Sequence, residues 1–265
     1  MISVIIVNFN GIKFLEACLR SVIKQLEDLT HEIILVDNDS KDQSIVFIKE
    51  NFPMVIIIES KENLGFGKAN NLGVANANGE TLLLINNDTI LLNNIKPAVE
   101  VLYSDESYGI VTINMLDKNQ NYIPAVGKFP SPLRMLKISF SKDNRKEFTY
   151  GNFNLKQNYT VDWVTGAFML IRKNDYLDLQ GFDPDYFMYV EDVDLCKRMN
   201  NLRKLCVFVP YINYIHFVGH NTKRNILLMN GYKTYCSKHF SGISKFIALK
   251  MISINIFIKK LTNNI

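Results

Sequence analysis

Beyond Asp194 the chain carries no acidic residue. The stretch from Leu195 to Ile265 holds 12 Lys and Arg and is net +12, whereas the part before it sets 26 acids against 18 bases and is net −8. The overall formal charge of +4 conceals that split. A cationic end of this kind is expected to meet something anionic: a membrane surface, a lipid pyrophosphate or nucleic acid. Cysteine is scarce and scattered: Cys18, Cys196, Cys206 and Cys236 form no Cys-x-x-Cys pair. That argues against a disulfide framework or a zinc cluster and for reduced thiols in a cytosolic protein. A basic leader and a small-residue cleavage site are missing ahead of Ile2-Ser3-Val4-Ile5-Ile6-Val7, so no signal peptide is expected. Lysines interrupt the apolar tail, and the uninterrupted run of about 20 apolar residues that a spanning helix needs is lacking.

What is present suffices for a large core, with 265 residues of which 48% are hydrophobic. Short apolar runs alternate with helical patterns in the first half. Residues 2–7, 32–36, 55–58 and 81–85 read as strands, and residues 11–25, 42–50 and 67–77 as helices, the first with Phe14, Leu15, Cys18, Leu19 and Val22 on one stripe. Such alternation predicts an α/β fold with a mostly parallel sheet covered by helices on both faces. Further on, residues 93–103 fit a helix, and residues 109–113, 161–163, 167–171 and 205–209 fit strands. Residues 114–159 are irregular and contain Pro124, Pro130 and Pro132, which suits a binding loop or lid on an acceptor side.

Open sheets of this kind take ligands outside the carboxyl ends of their strands. Polar residues gather at those ends here: Asn8-Phe9-Asn10-Gly11 after the first strand, Asp37-Asn38-Asp39-Ser40 after the second, Asn63-Leu64-Gly65-Phe66-Gly67 after the third and Asn86-Asn87-Asp88 after the fourth. Each alone is ordinary turn chemistry, but four on one rim predict a nucleotide site. The Gly65-Phe66-Gly67 loop is a poor dinucleotide fingerprint, since it follows the third strand and lacks the third glycine, which disfavours a dehydrogenase.

In the second half, Trp163-Val164-Thr165-Gly166-Ala167-Phe168-Met169 precedes Gly181-Phe182-Asp183-Pro184 and then Tyr186-Phe187-Met188-Tyr189-Val190-Glu191-Asp192-Val193-Asp194-Leu195-Cys196. Three carboxylates within four residues open a helix. They suit the helix dipole, and when crowded together one of them can act as a proton acceptor. Together with the polar rim, this set of motifs resembles family 2 glycosyltransferases of the GT-A fold, a Rossmann-like mostly parallel sheet, and within them a rhamnosyltransferase-like subgroup. The resemblance runs in order from Ile2 to about Asn221.

The resemblance implies an inverting transferase moving a sugar, with rhamnose the subgroup's example, from a nucleoside diphosphate to a hydroxyl of a glycan or polyprenyl-pyrophosphate-linked acceptor in cell-surface polysaccharide synthesis. It implies Asp192 as the base that takes the acceptor's proton, with Glu191 positioning it or the acceptor. Val7, Asn8, Asn10 and Asp37 are implied at the nucleoside, and Asn63, Gly65 and Asn71 in the segment that closes over the nucleotide. Asn87 and Asp88 fall where the family carries its Asp-x-Asp motif for Mg²⁺ or Mn²⁺, and Asn86 replaces its first carboxylate. His216 matches the family histidine that contacts metal or pyrophosphate; His220 matches less well. Trp163, Thr165 and Gly166 are candidates for the acceptor side, although Trp163 equally suits core packing and His216 a structural role.

The same reading divides the chain into a transferase domain at 1–221, with a nucleotide-binding half at 1–113 and an acceptor-binding and catalytic half at 114–221, and a basic amphipathic helical tail at 222–265. On a helical projection of residues 240–261, Phe240, Ile243, Phe246, Ile247, Met251, Ile254, Phe257, Ile258 and Leu261 share one face, opposite Lys238, Ser241, Lys245, Ser253, Lys259 and Lys260, with Leu249, Ile252 and Ile256 as misfits. Such a helix can lie in a membrane interface or pack on the domain, and the former predicts a cytoplasmic enzyme peripheral on the inner face of the cell membrane. Nucleic-acid binding is not expected, because no fold motif for it accompanies the charge. A nucleotidyltransferase and a non-catalytic sugar-nucleotide or membrane-binding protein are the rival readings.

Overall fold

The computed structural model describes residues 1–137, 143–217 and 224–261. The first half follows the alternation read from the sequence. It runs β1 (Ile2–Asn8), α1 (Ile12–Gln25), β2 (His31–Asp37), α2 (Ser44–Asn51), β3 (Ile56–Glu59), α3 (Phe66–Ala75) and β4 (Thr81–Asn86). β2, β1 and β4 lie side by side in parallel, with β3 outside β2. Val4, Ile5 and Ile6 are fully buried, as continuous apolar strands of a sheet covered on both faces must be. α1 turns Leu15, Cys18, Leu19 and Val22 into the core as its periodicity predicts, and Phe14 stacks on Phe217 at 5.5 Å.

The second half adds β5 (Thr89–Leu91), α4 (Lys96–Ser104), β6 (Tyr108–Leu116), β7 (Val126–Gly127), α5 (Lys146–Tyr150), β8 (Tyr159–Val161), β9 (Trp163–Val164), β10 (Phe168–Arg172), α6 (Lys173–Asp178), α7 (Glu191–Asn201) and β11 (Leu205–His216). β10 runs antiparallel between β4 and β6 and so joins the two halves into one sheet, ordered β3-β2-β1-β4-β10-β6-β11-β5 with β8 beside β11. The sheet is therefore mixed at its centre, although most of its long ladders are parallel.

β11 is longer than the segment 205–209 that reads as a strand. It shifts register between Val209 and Asn213 and then continues to His216. Pro210 lies in that irregularity, where a residue without an N–H removes no regular ladder bond. Beyond the bulge, β11 pairs antiparallel with the three-residue β5, placing His216 opposite Thr89. β5 is too short to show a period in the sequence.

Two helices close the chain, α8 (Arg224–His239) and α9 (Gly242–Leu261). α8 packs on the start of α7: Met229, Tyr232, Tyr235 and Cys236 are buried with Tyr186, Val190 and Val193. The packing of α9 corrects the sequence projection. Ile252, a misfit there, is fully buried with Ala248 against the domain, while Ile243, Phe246 and Phe257 of the apolar face are exposed. Among the described residues, no helix is long and apolar enough to cross a membrane. All four cysteines are free and buried, as the scattered spacing predicts.

Candidate active site

The polar rim is one hydrogen-bonded surface. Asn8, buried at the end of β1, donates from Nδ2 to Asp37 Oδ1 at 3.0 Å and to Ser40 Oγ at 3.1 Å, and its Oδ1 accepts from Asn87 Nδ2 at 2.7 Å. Ser40 N returns a bond to Asp37 Oδ2 at 3.0 Å, and Asn10 N donates to Ser40 Oγ at 2.9 Å. These bonds tie the ends of β1, β2 and β4 into one shelf from Asp37 to Asp88, with Val7 half-buried at its root. A Cβ on Gly11 would lie 2.1 Å from Asn87 Nδ2 and would displace that amide.

The neighbouring loop is built around Asn38, whose side chain bonds Asn63 Oδ1 at 3.0 Å, Gly65 O at 3.2 Å and Leu64 N at 2.8 Å. Asn63 Oδ1 also accepts from Gly65 N at 2.9 Å, so Asn63 shapes the turn. Gly65 has φ +79°, and a Cβ on it would meet Phe187 O at 2.1 Å; Phe66 N donates to that same oxygen at 3.0 Å. The loop is thereby buttoned to the aromatic run ahead of α7. Asn71 is half-buried and bonds within the protein. Its Oδ1 accepts from Tyr176 OH at 2.5 Å and Phe182 N at 2.9 Å, and its Nδ2 donates to Phe182 O at 2.8 Å, which anchors the Gly181-Phe182 turn on α3.

Asp88 and His216 meet because β5 and the end of β11 pair. His216 Nε2 lies 3.1 Å from Asp88 Oδ1 and 3.3 Å from Asn86 Nδ2. Phe217 N donates to Asp88 O at 2.9 Å, which fixes the turn. Among the described residues no group of three or more His, Cys, Asp or Glu could hold a metal. The pair fits a divalent cation of the kind that takes one carboxylate from protein and completes its shell with substrate phosphate and water. Asn86 supplies an amide where a second carboxylate would stand, so its contribution is at most a neutral carbonyl ligand. His220 lies outside the described residues.

Asp88, His216 and Asn86 line the same cavity as Glu191 and Asp192, a space of about 640 Å³ walled by Phe66, Trp163, Thr165, Gly166, Leu228 and Tyr232, among others. Asp192 sits in the first turn of α7, half-buried, and its Oδ2 accepts from Gly166 N at 3.0 Å. Burial pushes the Asp192 carboxyl up from its ordinary value, opposed by that N–H and by Val193 N at 2.8 Å. Glu191 is more deeply placed: burial, then the charge of Asp192, drive its carboxyl well above the usual carboxylate range. Its Oε2 is buried without a hydrogen-bond partner. Burial thus raises both carboxyls, Glu191 further than Asp192, because Asp192 accepts two backbone N–H bonds while Glu191 Oε2 accepts none. Trp163 is only half-buried, donates from Nε1 to Lys128 O at 3.0 Å, and lines the cavity.

Tyr189 and Val190, with φ of 71° and 74°, form a strained pair immediately ahead of α7. Left-handed backbone is costly at a β-branched residue and needs outside support. α8 supplies it. A Cβ on Gly231 would come within 2.4 Å of Tyr189 O, so the helix lies directly on the strained turn. At the far end of α8, His239 Nε2 meets Asp194 Oδ1 at 2.7 Å, while Arg198 Nε donates to Asp194 Oδ2 at 2.7 Å. Lys238 pairs with Asp183 at 2.6 Å and Asp185 at 2.7 Å. The sequence reading covers this helix only as part of a tail at 222–265 and does not bring its Leu228 and Tyr232 to the cavity wall. The spacing of Leu228, Met229, Tyr232, Tyr235 and Cys236 was the available signal.

The rhamnosyltransferase WbbL of Escherichia coli K12 is 43% identical over 63 residues, 24% of this chain and 24% of that protein. The N-acetylglucosaminyl-diphospho-decaprenol L-rhamnosyltransferase of Mycobacterium tuberculosis H37Rv is 40% identical over 65 residues, 24% of this chain and 21% of that protein. Each match spans a quarter or less of the curated relative. Among solved structures, S. aureus TarS 1–349 superposes with a TM-score of 0.58 at 15% identity, over 96% of this chain and 70% of that one. The mannosyltransferase PcManGT of Pyrobaculum calidifontis, in complex with GDP-Man and Mn2+, gives 0.64 at 15% identity, over 98% and 75%. These likenesses show that the fold is GT-A. Residues 3–178 match the model described as Glycosyl transferase family 2, a span that ends before Glu191 and Asp192. With that match over more than half its length, the chain belongs to glycosyl transferase family 2.

Proposed function

We propose that the protein transfers a sugar, in the class of rhamnose, from a nucleoside diphosphate to a hydroxyl of a lipid-linked glycan during cell-surface polysaccharide synthesis. The observation that carries this reading is the shared cavity, with Asp88 and His216 at one end and Asp192 in its wall. The shelf from Asp37 through Asn8 to Asn87 receives the nucleoside and leads its diphosphate toward Asp88. Asp192 accepts the proton of the acceptor hydroxyl as that oxygen attacks the anomeric carbon and the bond to the diphosphate breaks. A single displacement of this kind inverts the anomeric configuration. Glu191, buried beside Asp192 in the cavity wall, positions that residue or the acceptor. Asp88 and His216 would hold Mg²⁺ or Mn²⁺, which when bound supplies charge to the departing diphosphate. Thr165 and Gly166, with the Trp163 ring, form the acceptor side. The lipid-linked acceptor places the reaction on the inner face of the cell membrane. Names of the curated relatives support rhamnose and a decaprenol-linked acceptor, and the titles of neighbouring structures support a nucleotide-sugar and Mn2+.

A thermal-shift panel of thymidine, uridine and guanosine diphosphate sugars tests this reading. One donor class is expected to raise the melting temperature in the presence of Mg²⁺ or Mn²⁺, because a ligand that binds only the folded form stabilises it by mass action, about 2.7 kcal/mol at a hundredfold excess over Kd. Chelation, or Asp88→Ala, is expected to remove most of that shift. Stabilisation by none of the sugar nucleotides would contradict the proposal.

A further inference from the structure

α9 is an amphipathic helix that turns its more apolar side to water. Its domain side uses Ala248 and Ile252, both fully buried, and Asn255, whose Nδ2 donates to Leu136 O at 2.7 Å and Met135 O at 3.3 Å. Its outer side carries Ile243, Phe246 and Phe257 at 80%, 67% and 62% exposure, and at 100° per residue these fall within one arc that also takes in the half-exposed Ile247 and Ile254. On the turn that α9 packs against, Leu133 and Leu136 are 74% and 42% exposed. Isolated exposed apolar residues are unremarkable, but several large ones on one helix face mark an interaction site.

Charge selects the occupant. Lys250 lies inside the same arc and is exposed, its ammonium 6.0 Å from the Phe246 ring, and Lys233 of α8 is exposed as well. Neither α8 nor α9 contains an acidic residue of its own. A second copy would bring the same acid-free cationic face, so pairing through it is opposed by like charge. An anionic bilayer supplies both an apolar boundary for the phenylalanines and phosphate for the lysines, and a helix unable to span would lie in its surface. We propose that the outward face of α9, centred on Ile243, Phe246, Lys250 and Phe257, docks the protein on an anionic lipid membrane. This docking goes beyond the sugar-transfer reading and stands whether or not that reading holds.

The test is flotation of the full chain with vesicles of phosphatidylcholine alone and of phosphatidylcholine mixed with phosphatidylglycerol. The wild type is expected to float with the anionic vesicles, less with neutral ones, and less as salt is raised. Joint replacement Phe246→Ser and Phe257→Ser is expected to weaken partitioning by about tenfold or more, and Lys250→Glu to weaken it on anionic vesicles only. Unchanged melting temperature shows that these exposed positions leave the fold intact, and unchanged nucleotide-sugar binding separates docking from catalysis. Equal flotation of wild type and double variant would overturn the proposal, as would no flotation of the wild type. So would a wild-type dimer that the double variant dissolves in the absence of vesicles, which would assign the face to a second copy.

Discussion

Asp192→Asn is expected to lower sugar transfer by about 10³-fold, the range that loss of a positioned general base produces, while nucleotide binding stays near the wild-type value. Glu191→Gln, one residue away, is expected to stay within about tenfold of wild type, since burial and the charge of Asp192 already disfavour a charge on Glu191 and the amide keeps its shape. The opposite outcomes follow from environment. Gly166 N and Val193 N stabilise the ionised form of Asp192, whereas the buried Glu191 Oε2 meets no donor. The pH dependence has a definite sign. Asp192 acts only when ionised and burial raises its pKa, so turnover falls as pH drops through a value above the ordinary carboxylate range. Initial rates and titration calorimetry on the two variants check both statements. Retained turnover in Asp192→Asn would remove it from the mechanism.

Asp194→Ala is expected to cost about 3–5 kcal/mol of stability, because it leaves the largely buried Arg198 guanidinium without its carboxylate. In a chain of this size that corresponds to roughly 6–20 °C in Tm. Burial opposes the Asp194 charge, but the His239 bond and Arg198 overcome it and hold its pKa below the usual carboxylate value. A depressed pKa means that the contribution is fully present above the unfolded value of about 3.9 and is lost as pH falls through the folded value. The gap between wild type and variant should therefore narrow below about pH 4. Since His239 reaches Asp194 from the end of α8, the variant should also loosen the helix that bears Leu228 and Tyr232. Melting curves across pH measure both effects.

The legibility of the molecule in its sequence follows the range of the interactions involved. β1, β2 and β4 and the stripe of α1 were readable because each is a long segment whose period reflects its own burial. The rim residues Asn8, Asp37, Asn87 and Asp88 were readable because strand ends of a wound sheet converge by topology. The meeting of His216 with Asp88 depends on β5, three residues long, and on a bulge around Pro210, neither of which has a local signature. Asn71 belongs to a motif that resembles a nucleotide-covering segment, yet its amide is spent on the Gly181-Phe182 turn, a contact across more than a hundred residues that no local pattern encodes. For α9 the amphipathic period was visible, but which side meets the domain was decided by Asn255 reaching Leu136 O and Met135 O, and by Ile252 filling the core beside Ala248.

The most direct test of a single crevice is anomalous diffraction from crystals soaked with Mn²⁺ and a nucleoside diphosphate. Manganese at Asp88 and His216, with the nucleoside on the Asp37 shelf and the diphosphate opening toward Asp192, is the expected result. Metal and nucleotide bound on another surface, with the cavity beside Asp192 left without either, would contradict it.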